Sequence, residues 1–165
     1  MKKVIEKYPI PYISYSQISS FLNCQETFRL TYLTGRFESK GNKYTELGSL
    51  LHDVFEKQGK QLIAENPLTR ETAIKEFNKR YFSKEMTRAY FTDKEDFVKM
   101  YKKGIEAIDN YYLVYSDSLP LFLEKKFLGE IGEGIPPVKS YIDRIDGNPE
   151  DSSTWIVTDY KSGSS

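Results

Sequence analysis

The sequence predicts an α+β fold, helical first and β afterwards. Two observations carry that expectation. Apolar residues recur at helical spacing as far as about Tyr115, and beyond Pro120 they gather into strand-length runs separated by turn residues. A third observation is the single change of period across 165 residues, without internal repeat or low-complexity tract. It points to one domain over 1–165.

The elements follow in order. Ser14 or Ser16 caps a helix reaching about Leu33, with Ile18, Phe21, Leu22, Phe28 and Tyr32 as its apolar positions and Gly35 as its stop. A polar stretch, Arg36 to Lys43, comes next. A second helix is expected over Tyr44 to about Ala64, striped by Leu47, Leu51, Val54, Phe55 and Leu62, and broken at Asn66-Pro67. Thr69 opens a third helix to about Phe82, marked by Ile74, Phe77 and Tyr81. The fourth begins at a capping box, Thr92 with Glu95, and runs through Phe97, Met100, Tyr101 and Ile108 to about Tyr115. Leu121–Leu128 then reads as a strand and Gly129–Pro137 as a loop. An antiparallel hairpin closes the chain, with Tyr141–Asp146 on one arm, Gly147–Ser153 as the turn, and a second arm ending in Thr158-Asp159-Tyr160-Lys161. Trp155, Ile156 and Val157 make that last arm apolar enough for a central strand, which needs partners on both edges. The chain is therefore expected to stop before its sheet is complete.

The hairpin carries the chemistry. Strand side chains alternate with a period of two, so Asp159 and Lys161 share a face, and pairing can set Asp143 opposite Asp159. Two acids and a lysine are costly to bury together. A divalent cation offsets that cost, since Mg²⁺ takes one or two carboxylates with water and phosphate completing its shell. This is the outline of a phosphodiester-cleaving site. The bland alternative is a strand-end acid paired with Lys161 or Arg144.

Composition sets the limits. Twenty-four basic and 24 acidic residues cancel, so no global positive field advertises nucleic acid. Thirteen Tyr and 10 Phe are enough for a core and some base-stacking surface. The lone Cys24 excludes an internal disulfide framework, and a reducing cytoplasm is the default. The basic N-terminus lacks the apolar run of a signal peptide, and no stretch approaches a membrane span.

Ordered blocks along the chain resemble the PD-(D/E)XK nuclease superfamily in its RecB/AddB-like exonuclease branch, which also includes CRISPR-associated exonucleases. Ser14-Tyr15-Ser16 through Cys24 to Phe28 is similar to that branch's opening S-x-S…C-P-x-x-F helix, with Gln25 in place of the proline. Gly48-Ser49-Leu50-Leu51-His52 resembles its G-x-x-x-H motif, and Glu124 stands where the family has an acid on the first strand. Tyr141–Asp146 resembles G-x-I-D-R-I-D, with Ser140 replacing a glycine, and Asp159-Tyr160-Lys161 resembles D-x-K.

The resemblance implies a restriction-endonuclease-like core with a mixed central sheet. It also implies a Mg²⁺- or Mn²⁺-dependent DNA exonuclease of recombination, repair or phage DNA metabolism, bacterial or phage-encoded and cytoplasmic. Asp143, Asp159, His52 and the backbone carbonyl of Tyr160 would hold the metal, and Lys161 would orient the attacking water. Single- or double-stranded DNA ends are the expected substrate, and a helicase or recombination protein an expected partner. Some members bind an iron–sulfur cluster through four cysteines; with Cys24 alone this chain cannot build one. The family's downstream Q-x-x-x-Y helix is also missing, so the alternative is a catalytically incomplete module that binds DNA or a helicase.

Other residues leave two readings open. His52, the only histidine, is a ligand or a packed helix residue. Glu124 either points inward to the metal or marks a strand edge. Arg144, facing away from Asp143, reads as structural or as an outer partner of Asp146. Arg36, Lys40 and Lys43 either track a DNA backbone or form a solvated loop. Tyr111, Tyr112 and Tyr115 read chiefly as core, with base stacking as the minority alternative.

Overall fold

The computed structural model describes residues 10–37, 41–83, 86, 90, 91 and 93–161. Its elements are α1 (Tyr15–Asn23), α2 (Gln25–Phe28), a π-helical turn (Arg29–Leu33), α3 (Lys43–Ile63), α4 (Arg70–Tyr81), α5 (Lys94–Tyr115), β1 (Phe122–Gly129), β2 (Val138–Asn148) and β3 (Asp151–Thr158). The α+β class expected from the change of period is the class observed. The strands lie in the order β1-β2-β3, and β2 pairs antiparallel with β3.

The chain divides into two compact units, Met1–Lys40 with Lys125–Ile142, and Gly41–Glu124 with Asp143–Ser165. In the first, the Ser14 hydroxyl caps α1 by accepting from the Gln17 N–H, and Gln17 returns a bond to the Ser14 N–H. The expected continuous helix to Leu33 is interrupted: Cys24 is extended at φ −160°, and α2 restarts behind it. Ile18, Phe21 and Leu22 stay exposed, although the Phe21 ring meets that of Phe28 edge to face at 5.5 Å. Gly35 takes φ +62°, the left-handed conformation that ends helices.

The second unit holds the core. Leu47, Leu50, Leu51, Val54 and Phe55 form the stripe of α3, Ala73, Phe77 and Tyr81 that of α4, and Met100, Ile108 and Tyr111 that of α5. Each fully buried side chain of this size contributes about 1.5–3 kcal/mol. Where α5 crosses α4, Gly104 leaves no room for a Cβ beside the Phe77 ring, so only glycine permits that approach. Asn42 caps α3 and Thr69 caps α4. Asp93 caps α5 by accepting from the Asp96 N–H; the expected capping Thr92 lies outside the described residues.

The β2–β3 ladder pairs Arg144 with Thr158, Ile145 with Val157 and Asp146 with Ile156. It breaks at a bulge between Asp146 and Asn148, where Gly147 has φ +135° and sits against the Thr154 backbone. The expected turn over 147–153 is shorter than predicted, because β3 already starts at Asp151. Polar side chains secure that start. The Thr154 hydroxyl accepts from the Asn148 N–H, and the Trp155 indole donates to the Asn148 carbonyl.

Candidate metal centre

Three elements of the second unit converge at one point. His52 comes from the middle of α3, Glu124 from β1 and Asp143 from β2. One ligand atom from each lies within 4.8 Å of the others. Asp143 is buried and His52 and Glu124 half-buried.

The hydrogen bonds around this trio fix its chemistry. His52 Nε2 lies 3.0 Å from the Tyr160 carbonyl oxygen, which only accepts, so Nε2 carries the hydrogen. In the neutral ring Nδ1 then bears the lone pair. It faces Asp143 Oδ1 at 3.6 Å and Glu124 Oε1 at 3.7 Å, both too far for a hydrogen bond. Three electron-rich atoms thus converge on one space. A second ring proton or a cation would relieve the repulsion, and two carboxylates with one imidazole are a fitting donor set for a divalent ion. The other carboxylate oxygen of Asp143 accepts from the Tyr160 N–H at 2.7 Å, which fixes its orientation.

Glu124 shows the cost of this arrangement. Its pKa is raised, first by burial and then by the neighbouring charge of Asp143. Its backbone has φ +46°, a conformation uncommon for any residue but glycine and one that recurs at functional sites. The irregularity sits inside β1, so simple alternation does not set where this carboxylate goes. Glu56, one turn after His52 on α3, adds to the negative field at Glu124, and its i,i+4 spacing from His52 is a signal the sequence reading passed over.

Asp159 and Lys161 stand differently. The ladder ends at Arg144–Thr158, one step short of the expected Asp143–Asp159 pair. Asp159 lies outside the trio and makes an exposed ion pair with Lys161 at 2.6 Å. The backbone of Tyr160, between them, meets both His52 and Asp143. Its ring is caged by Phe55, Tyr111, Tyr115 and His52, with centroids 5.1–6.3 Å away. Burial raises its phenol pKa.

Arg144 points to the helix side of β2 and is fully buried. Its guanidinium donates to both carboxylate oxygens of Asp146 (2.6 and 2.7 Å) and to the Ser118 carbonyl (2.6 Å), and it lies 4.4 Å from the Tyr115 ring centre. The outer pairing with Asp146 read from alternation is therefore present. Tyr111 is core, stacked on Phe55 at 4.1 Å. Tyr112 donates to the Leu68 carbonyl, and burial pushes its pKa up to about 12. Of the basic stretch, Lys43 is bound to Asp96 at 2.6 Å, Arg36 is exposed, and Lys40 lies outside the described residues.

A family model described as the PD-(D/E)XK nuclease superfamily matches residues 12–165. The chain belongs to that superfamily, whose members are nucleases that use divalent metals, with DNA the substrate the family implies. The chain shows no significant match to a curated protein or to a solved structure. No helix among the described residues is long and apolar enough to cross a membrane.

Proposed function

We propose that this chain is a Mg²⁺- or Mn²⁺-dependent deoxyribonuclease of the RecB/AddB-like type, acting as an exonuclease on DNA ends in recombination, repair or phage DNA metabolism. The observation that carries this reading is the convergence of His52 Nδ1, Glu124 and Asp143 beside the Tyr160 backbone, in a chain of a nuclease superfamily. His52, Asp143 and Glu124 would hold the ion, with Asp159 and the Tyr160 carbonyl as the further ligands the D-x-K resemblance implies. When bound, the ion supplies Lewis-acid polarisation of a phosphoryl oxygen and a more acidic water.

The protein's own groups do the rest. Asp143, held by the Tyr160 N–H, keeps one oxygen directed at the site. Lys161 is two residues beyond Asp159 and reaches its carboxylate. Asp159 would hold the ion with the trio, and the neighbouring Lys161 ammonium would orient the attacking water and stabilise added negative charge. A helicase or recombination protein is the expected partner.

A second reading is a nuclease-fold module that binds DNA or a helicase without cutting. The Asp159–Lys161 pair, apart from the trio, is the observation in its favour. End-labelled single- and double-stranded DNA incubated with Mn²⁺, Mg²⁺ or EDTA separates the two. Metal-dependent cleavage that Lys161→Ala loses supports the nuclease and reports its polarity. DNA retention without cleavage under every metal condition supports the module.

A further inference from the structure

We infer that the cavity beside the metal centre is a nucleobase subsite, which receives the unstacked base next to the scissile phosphate. This rests on the nuclease reading and names the part of the substrate that the site grips.

The cavity measures about 320 Å³, at the lower end of the ~300–1,000 Å³ of small-molecule sites, and so suits a group no larger than one nucleoside. It adjoins the metal centre through His52, a member of the trio, and through Tyr160, whose backbone meets both His52 and Asp143. A strand whose phosphate lies at the trio therefore has its adjacent base within reach of this cavity.

The lining is matched to a base and not to a second phosphate. Phe55, Tyr111, Tyr115 and Tyr160 supply aromatic walls. These rings are braced: Phe55 stacks on Tyr111 at 4.1 Å, Arg144 lies against Tyr115 at 4.4 Å, and the Tyr115 and Thr158 hydroxyls meet at 3.3 Å. Phe55 and Tyr111 are buried and spend a face on each other, so the ring left partly open to a base is that of the half-buried Tyr115, a π surface that accepts any base irrespective of sequence. The cationic Lys161 in the lining is ion-paired with Asp159, which also lines the cavity. The lining also includes the exposed Asn110 amide, a donor and acceptor suited to a base edge. A fully stacked duplex cannot deliver a base here without unpairing, so the subsite selects single strands or frayed ends.

The test uses single-stranded oligonucleotides carrying one abasic nucleotide at successive positions from each end, with Mn²⁺ present. The expected result is a fall in kcat/KM of about tenfold at one position relative to the scissile bond, with neighbouring positions unaffected. Asn110→Ala and Tyr115→Leu should lower kcat/KM on the intact strand and have no further effect on the strand abasic at that position. Asn110 is exposed, so its variant reports even if Tyr115→Leu folds poorly. Metal-dependent cleavage indifferent to every abasic position would overturn the subsite and leave the nuclease reading standing. Absence of cleavage on all strands, intact included, would overturn both.

Discussion

His52 and Tyr160 are joined by a 3.0 Å hydrogen bond from imidazole Nε2 to the main-chain carbonyl, across 108 positions of sequence. That contact ties α3 to the D-x-K segment and directs the other ring nitrogen at Asp143 and Glu124. Because the Tyr160 N–H in turn orients Asp143, one peptide segment organises two of the three converging side chains.

His52→Ala removes both a donor atom and this tie. The expected result is at least a 10- to 100-fold loss of Mn²⁺ affinity, the size seen when groups that orient metal ligands are lost. Thermal unfolding across a Mn²⁺ titration measures it. Wild type at 100 times its Kd should gain about 2.7 kcal/mol, and the variant at the same concentration far less.

Glu124 predicts a pH dependence. Its pKa is raised in the folded chain by burial and by Asp143, so the folded state holds this proton more tightly than the unfolded state. Its contribution to stability is therefore full below the ordinary glutamate range, near pH ~4.3, and is lost as pH rises through the raised value. Glu124→Gln cannot lose it. In EDTA the variant should gain in Tm over wild type as pH rises from 4 to 8, and with Mn²⁺ present the order should reverse.

Arg144 predicts a large stability effect. Its guanidinium is fully buried on Asp146, Ser118 and Tyr115. Arg144→Met removes the cation from the Asp146 carboxylate and leaves it the Ser118 hydroxyl as donor, which should cost about 3–5 kcal/mol in urea unfolding. Adding Asp146→Leu should restore most of that loss, because no unpaired charge then remains.

Gly104→Ala should destabilise by about 1–3 kcal/mol, since the new methyl meets the ring of Phe77, itself fully buried. Denaturant melts of the variant, and of Gly104→Ala with Phe77→Leu, test whether making space offsets the cost.

The helices of the core were legible because burial follows their stripes. Leu47, Leu51, Val54 and Phe55 repeat at the spacing that faces one side, and all are buried. The side on which Glu124 emerges was not legible, since φ +46° occurs there without a glycine to announce it. Alternation placed Asp159 and Lys161 on one face, and the pairing of a strand-end Asp159 with Lys161 was one of the two readings it left open; that the ladder ends at Arg144–Thr158 was not legible. The break at Cys24 was equally silent, for the apolar positions on either side keep helical spacing. The Arg144–Asp146 pair was legible from spacing, whereas its contacts with Ser118 and Tyr115 depend on tertiary packing that periodicity does not encode.

The most direct test of the account is a calorimetric titration of the chain with Mn²⁺ and Mg²⁺, wild type against Asp143→Asn and Glu124→Gln. Saturable binding in the wild type that both variants weaken by an order of magnitude or more, with their folds intact by circular dichroism, is the predicted result. Equal binding in all three, or none in the wild type, would contradict the claim that His52, Glu124 and Asp143 form a metal centre.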